Sequence, residues 1–309
     1  MATQRVLRRL LEIEARRIRD SPYLQRLGIE PRELDDRKVA VALEHRDENL
    51  NRGGVIHGGA IASALTTACT LAAASSERSD EATRVSLLSI NVSFLAAVRG
   101  REGDDAPELL ASARVLRRGR DTVHIHADLF HDSAVVATAL ATCRISTDAG
   151  PPVEAYNAEA IGRPLFGAHP KVKRMSGSPY GQASSIEVLD EEGSSACLRA
   201  PLGPNEGAPG YADPGAVCGL ADNCGAFSAY SHPGVTTRNA GSTVSLFVAF
   251  APAVAGDLVG MGTVVGRDVE SFCCDVRIGA AGTPAVAAVA TVIYRVVGAP
   301  DGGSTDAAD

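Results

Sequence analysis

Tryptophan is absent from this 309-residue chain, and Phe and Tyr together supply only 4% of it. The composition is otherwise globular, with 45% apolar and 22% charged residues. A basic excess is missing as well: 30 Lys and Arg stand against 37 Asp and Glu, for a net charge of -7. That balance argues against a nucleic-acid partner, whose phosphates require clustered cations. The seven cysteines (69, 143, 197, 218, 224, 273 and 274) contain no CxxC pair and no zinc-site spacing; they read as small core residues in a reducing cytosol. No secretory h-region is expected, because "MATQRVLRRLLEIEARRIRD" interrupts its apolar residues with Arg and Glu every few positions. Its Val6, Leu7, Leu10, Leu11 and Ile18 suit an amphipathic helix. The longest apolar run, 58–76, is mostly Ala with Ser and Thr, too weakly hydrophobic for a convincing membrane span. The Gly-rich stretches lack the strand–GxGxxG–helix context of a dinucleotide site. The expectation is a soluble, cytoplasmic protein with no cofactor, no metal, no membrane and no nucleic acid.

What the chain does contain is a repeat. A shift of 156 residues lays "INVSFLAAVRG" (90–100) over "LFVAFAPAVAG" (246–256), with Val92/Val248, Phe94/Phe250, Ala97/Ala253, Val98/Val254 and Gly100/Gly256 identical. The same shift matches Asn49/Asn205, Gly54/Gly210, Gly59/Gly215 and Ala60/Ala216. Beyond "REGDDAP" the offset becomes 149 and matches Leu109/Leu258, Val115/Val264, Arg118/Arg267 and Ala139/Ala288. One offset interrupted by one loop insertion marks a duplication. The expected units are residues 1–150 and 151–309.

Both units carry the same pattern. A helical stretch leads to an extended segment ("RKVAVAL"; "SSACLRA") and a Gly/Asn loop. A small-residue helix follows, over Gly59 to about Ala74 and Gly215 to about Tyr230, and then several strands. The period of two in "TVHIHADLF" marks a half-buried strand, and "SINVSFLA" suits the centre of a sheet. A helix this poor in charge is buried on most sides. The order implies an α+β fold: a curved antiparallel sheet wrapped around a central helix, twice.

Asn51-x-x-Gly54-x-x-His57-Gly58-Gly59 at the start of the first central helix, with "VSLLSINVSFLAAVRG" and "RRGRDTVHIHADLF" behind it, resembles the signature of the hotdog-fold acyl-CoA thioesterases of the PaaI-like type. The resemblance covers roughly residues 35–148 well and 180–297 weakly. It implies two tandem hotdog units paired as an intramolecular pseudo-dimer. It also implies hydrolysis of the thioester bond of an acyl-CoA or an acyl-carrier protein. In that family the Gly58 N–H would polarise the carbonyl, and His57 and Asn51 would hold the carbonyl or the attacking water. A carboxylate nine residues after the histidine would be base or nucleophile, but that position here is Thr66.

The 156 offset finds the acid in the other half. Asp222 stands opposite Thr66, Asp213 opposite His57, and Pro214, which has no N–H, opposite Gly58. Since paired hotdog units share their sites, one complete site is expected from Asn51, His57, Gly58 and Asp222, and one dead site from Thr66, Asp213 and Pro214. Gly59, Ser242, Thr243, Arg84 and Arg118 are the further candidates for substrate contact: the hydroxyls to support the acid, the arginines to meet CoA phosphates. Plainer readings exist. His57 also suits a helix cap, Asp222 a buried structural acid, and His124 and His126 a half-buried strand rather than a metal site. A lone acid among small apolar residues is costly to bury, which favours function for Asp222. The alternatives are a non-catalytic acyl-thioester-binding or regulatory protein and, more remotely, a hotdog hydratase or dehydratase. A homodimer of the tandem chain is a further expectation.

Overall fold

The computed structural model describes residues 2–34, 39–77, 84–99, 108–147, 173–236, 238–251, 255–283 and 286–298, without the side chains of 2–9 and 33. The first half runs α1 (Ala2–Asp20), α2 (Pro22–Leu27), β1 (Ile29–Leu34), β2 (Val39–Leu43), α3 (Gly58–Ser75), β3 (Arg84–Phe94), β4 (Leu109–Arg118), β5 (Thr122–His131) and β6 (Ala134–Ser146). The second begins with β7 (Arg174–Met175), α4 (Pro179–Ala183), β8 (Glu187–Glu192), β9 (Ser195–Ala200), α5 (Leu202–Asn205), β10 (Glu206–Ala208) and β11 (Tyr211–Ala212). It closes with α6 (Pro214–Tyr230), β12 (Ala240–Phe250), β13 (Leu258–Arg267), β14 (Ser271–Ala280) and β15 (Val286–Val297). The proposed boundary at 150/151 lies outside the described residues.

Thirteen of the described strands form one antiparallel sheet in the order β1-β2-β4-β5-β6-β3-β12-β15-β14-β13-β9-β8-β7, and β10 pairs with β11 alone. The second half repeats the first in reverse, and β3 meets β12 at the seam. There Asn91 pairs with Phe247, and 247 − 91 = 156, so the pseudo-twofold passes between positions that the repeat equates. β3 is central in the sheet as expected, yet it is covered on one face only: Ile90 and Val92 are buried and Asn91 is exposed. The alternation in β5, with Val123, Ile125, Ala127 and Leu129 all buried, puts one face of that strand on the core. His124 and His126 lie on the other face, opposite Thr142 and Leu140 of β6, and their ring nitrogens meet the Thr142 and Thr138 hydroxyls.

The core of each unit is its small-residue helix. α3 packs on β2 to β6 and α6 on β9 and β12 to β15. α3 is long and apolar enough to cross a membrane by length and composition, but 89% of it is buried inside the protein. Its apolar character answers to a sheet on one side and helices on the other. α1 covers α3 with Leu10, Leu11, Ala15 and Ile18; the side chains of Val6 and Leu7 are outside the described set. The two central helices also pack on each other. Their closest approach is at Gly59, where a Cβ would stand 2.8 Å from the Gly219 Cα; only glycine permits that crossing. The cysteines are free, six buried and Cys273 half-buried, as small core residues should be. The architecture is a double hotdog.

Candidate active site

The loop before α3 explains its own sequence. The Asn51 side-chain oxygen accepts the N–H groups of Gly53 (2.8 Å) and Val55 (3.1 Å), and Gly54 sits at φ +68°. This is an Asx-type turn closed by a left-handed glycine. The returning strand is tied by His57 N–H donating to the Asn49 carbonyl at 2.7 Å, and His57 then becomes the N-cap of α3. Asn51 thus shapes the turn that delivers His57, its oxygen engaged within that turn.

His57 caps the helix with a ring nitrogen. Gly59 N–H donates to Nδ1 at 2.9 Å. Asp213, its repeat counterpart, caps α6 in the same way, Gly215 N–H donating to Oδ1 at 2.8 Å. The cap backbones are superposable, with φ −66°, ψ 139° at His57 and φ −66°, ψ 140° at Asp213. The first turns then differ. Gly58 presents an N–H that nothing among the described residues accepts, at the positive end of α3. In α6 that place is Pro214.

Asp222, on the third turn of α6, is brought to Gly58 across the helix crossing. A Cβ on Gly58 would stand 2.8 Å from Asp222 Oδ2. Thr243 Oγ1–H donates to Oδ1, and His57 Nδ1 lies 3.2 Å from Oδ2. The carboxylate is 3% exposed and the imidazole 8%, which makes these contacts close and well shielded. Nδ1 cannot both accept from Gly59 and donate to Asp222. Burial holds the His57 pKa below its ordinary value, against the opposing pull of Asp222. The resting state consistent with both facts is a neutral imidazole with its lone pair on Nδ1 and its proton on Nε2.

Thr243 reaches Asp222 because β12 carries a register shift between Thr243 and Ser245 against β15. β3 shifts at Leu87/Ser89 against β6, the same place 156 residues earlier. The bulge re-aims a side chain: Thr243 here, the buried Leu87 there.

The remaining candidates lie elsewhere. Ser242 is exposed, on the opposite side of the strand from Thr243. Gly59 belongs to the helix crossing. Arg118 pairs with Glu77 at 2.5 Å, beyond the far end of α3 and roughly 28 Å from Gly58 at 1.5 Å per residue. Arg84 opens β3, exposed, where its charge acts on Glu14 of α1. None of these arginines contacts His57, Gly58 or Asp222 among the described residues.

One neighbour escaped the sequence reading. Tyr180, from α4, lies face to face with His57, the ring centroids 4.2 Å apart and the planes within 14°. The signal was present: "SPYLQRLGI" (21–29) and "SPYGQASSI" (178–186) share Ser, Pro, Tyr, Gln and Ile at an offset of 157. It is short and falls where the longer alignment fades. In both copies Ser caps a short helix that begins with Pro and Tyr, Ser21 accepting from Leu24 N–H and Ser178 from Gly181 N–H.

The repeat-equivalent positions are arranged differently. Thr66 spends its hydroxyl on the Ser63 carbonyl at 2.9 Å. Asp213 is 8% exposed, with the Ser21 hydroxyl 3.5 Å from Oδ2, and burial pushes its pKa up to about 6.

A Gly N–H and an Asp carboxylate thus face each other across the pseudo-twofold of a double hotdog, and residues 53–138 match the model of the thioesterase superfamily. Solved structures extend the likeness to the whole architecture. A hot dog fold protein from Alicyclobacillus acidocaldarius is 18% identical over 87% of this chain and 96% of its own, with a TM-score of 0.63. The tesB protein of Mycobacterium avium subsp. paratuberculosis gives 12%, 89%, 98% and 0.59. An acyl-CoA thioesterase II, TesB2, of Mycobacterium marinum gives 13%, 89%, 98% and 0.57. No curated protein matches the chain in sequence.

Proposed function

We propose that the protein hydrolyses the thioester of an acyl-CoA or acyl-carrier protein at one composite site. The first unit supplies Gly58 and His57, and the second supplies Asp222 and Thr243. The carrying observation is the free Gly58 N–H beside the buried Asp222 carboxylate. The thioester carbonyl oxygen binds the Gly58 N–H, where helix dipole and orphan amide stabilise the charge that develops on it. The Thr243 hydroxyl holds Oδ1 and leaves Oδ2 as the base. Oδ2 takes a proton from water as the water oxygen attacks the carbonyl carbon. Oδ2 carries that proton while the buried His57 ring, 3.2 Å away and with its Nδ1 lone pair held by the Gly59 N–H, shields it from bulk water. Collapse of the tetrahedral intermediate breaks the C–S bond, the sulfur leaves with the proton, and carboxylic acid and thiol result.

Replacing Asp222 with Asn keeps the volume and the Thr243 contact and removes the base. We expect kcat for an acyl-CoA substrate to fall about 10²- to 10⁴-fold. An Asp222→Asn variant with wild-type turnover would overturn the reading. A single turnover in ¹⁸O-labelled water places the label in the acid product and not in the Asp222 side chain. Label in the side chain identifies direct attack by the carboxylate instead.

A further inference from the structure

The chemistry above uses His57, yet imidazoles at helix termini rotate unless something holds the ring. The Gly59 N–H fixes one edge. From the geometry we infer that Tyr180 is the positioning residue for His57: its ring, stacked on the imidazole, fixes the plane in which Nδ1 faces Asp222 Oδ2. This rests on the hydrolytic reading of the site.

Tyr180 is itself fixed with unusual thoroughness. It is 1% exposed, and its N–H donates to the Leu50 carbonyl at 3.0 Å. Its hydroxyl lies between the two central helices. A Cβ on Gly59 would stand 2.8 Å from it, and Gly219 faces the same oxygen. The hydroxyl is 2.7 Å from the Tyr23 hydroxyl, which is 2.8 Å from Ser63 Oγ, and Ser63 Oγ–H donates to the Gly59 carbonyl at 2.6 Å. Tyr23 is the repeat counterpart of Tyr180, so the two tyrosines meet across the pseudo-twofold. Tyr180 therefore reaches His57 from the opposite unit, and a chain of hydroxyls anchors it to the backbone of the residue that caps onto His57.

The stack also selects the charge state. The Arg26 guanidinium lies 5.8 Å from the Tyr180 ring centroid and 5.1 Å from that of Tyr23. It already draws on the electron-rich ring, which disfavours a second cation on the stack. The titratable and charged groups about His57 are Asp222 of α6, Tyr180 of α4, and Arg26 of α2 behind Tyr180. The neutral, Nε2-protonated imidazole is the form that Gly59 and Tyr180 both accommodate.

The test compares Tyr180→Phe, which keeps the ring, with Tyr180→Met, which fills much of the space without one. With an acyl-CoA substrate, Tyr180→Phe is expected to stay within about threefold of wild-type kcat. Tyr180→Met is expected to lose about 10- to 100-fold in kcat with KM within about twofold, since misplacement of a catalytic group by about 1 Å costs up to that much. The second readout needs no substrate. The ¹⁵N spectrum of the His57 ring should show one Nε2-protonated tautomer in wild type and Tyr180→Phe, and a tautomer mixture in Tyr180→Met. Wild-type kcat and tautomer in Tyr180→Met would overturn the inference. So would equal losses in Phe and Met, or a wild-type ring protonated on Nδ1. If wild type hydrolyses no acyl-CoA, the hydrolytic reading fails, and the spectra still decide whether Tyr180 sets the imidazole.

Discussion

Asp213 and Asp222 are both buried acids on α6, and their surroundings separate them. Asp222 has a hydroxyl donor on one oxygen and the Gly58 residue beside the other, the environment on which the proposed role as base rests. Asp213 does the cap's work with a charge that the cap does not need. Its native pKa of about 6 lies above the 3.8 of the free side chain. Between those values the native protein holds a proton that the unfolded chain has released. Stability therefore falls as pH rises through that window, and the loss persists above about pH 6. Asp213→Asn retains an oxygen for the Gly215 N–H and removes the buried charge. We expect it to raise stability above pH 6 by roughly 1–3 kcal/mol, measured by denaturant unfolding, to leave stability unchanged below pH 3.8, and to leave turnover unaltered. A variant that is less stable above pH 6 would contradict this account of Asp213.

α3 and α6, 18 and 17 residues long, share a capping geometry and cross each other, and their first residues differ in one backbone donor. Proline is well suited to the first position of a helix, where its missing N–H is not required for the fold; α6 shows this at Pro214. The Gly58 N–H is equally dispensable to α3 as a helix, so its retention speaks for a ligand oxygen. Gly58→Ala keeps that N–H but adds a Cβ 2.8 Å from Asp222 Oδ2, so the carboxylate must move. The expected result is a folded protein, with wild-type circular dichroism, whose kcat is about 100-fold lower. Turnover within a few-fold of wild type would show that Asp222 need not lie where it does.

The two units are one molecule in a strict sense, because the sheet runs unbroken from β1 to β7 through the β3–β12 seam. Duplication within one chain relieves the two copies of having to be identical, and the proposed reading puts the one complete site at Gly58 and Asp222. A non-hydrolysable acyl-CoA analogue is accordingly expected to bind at one equivalent per chain by calorimetry. Thr66→Asp should not raise this to two, since Pro214 still offers no N–H and Asp213 replaces the imidazole. Two equivalents in either protein would refute a single composite site.

Much of this was legible in the linear chain. The 156 offset, the charge-free helices and the alternating strands predicted two equivalent sheet-and-helix units, and the helices lie within a residue of their expected bounds. These are local signals: periodicity and composition report which face of an element is buried, and burial is the dominant force on each element. The same offset paired His57 with a carboxylate 165 residues away. Other features depend on geometry that no local pattern encodes. The Asn51 oxygen closes the turn before α3, and β4 carries Arg118 to Glu77 beyond the far end of α3; neither placement shows in the local spacing. Ser242 and Thr243 were equivalent until a one-residue bulge chose between them. Tyr180 became a neighbour of His57 only because the helices cross at Gly59 and Gly219, which leaves room for one hydroxyl. Which elements form is written in the spacing of residues along the chain. Which side chains meet depends on how those elements cross, and that is set by close packing over the whole molecule.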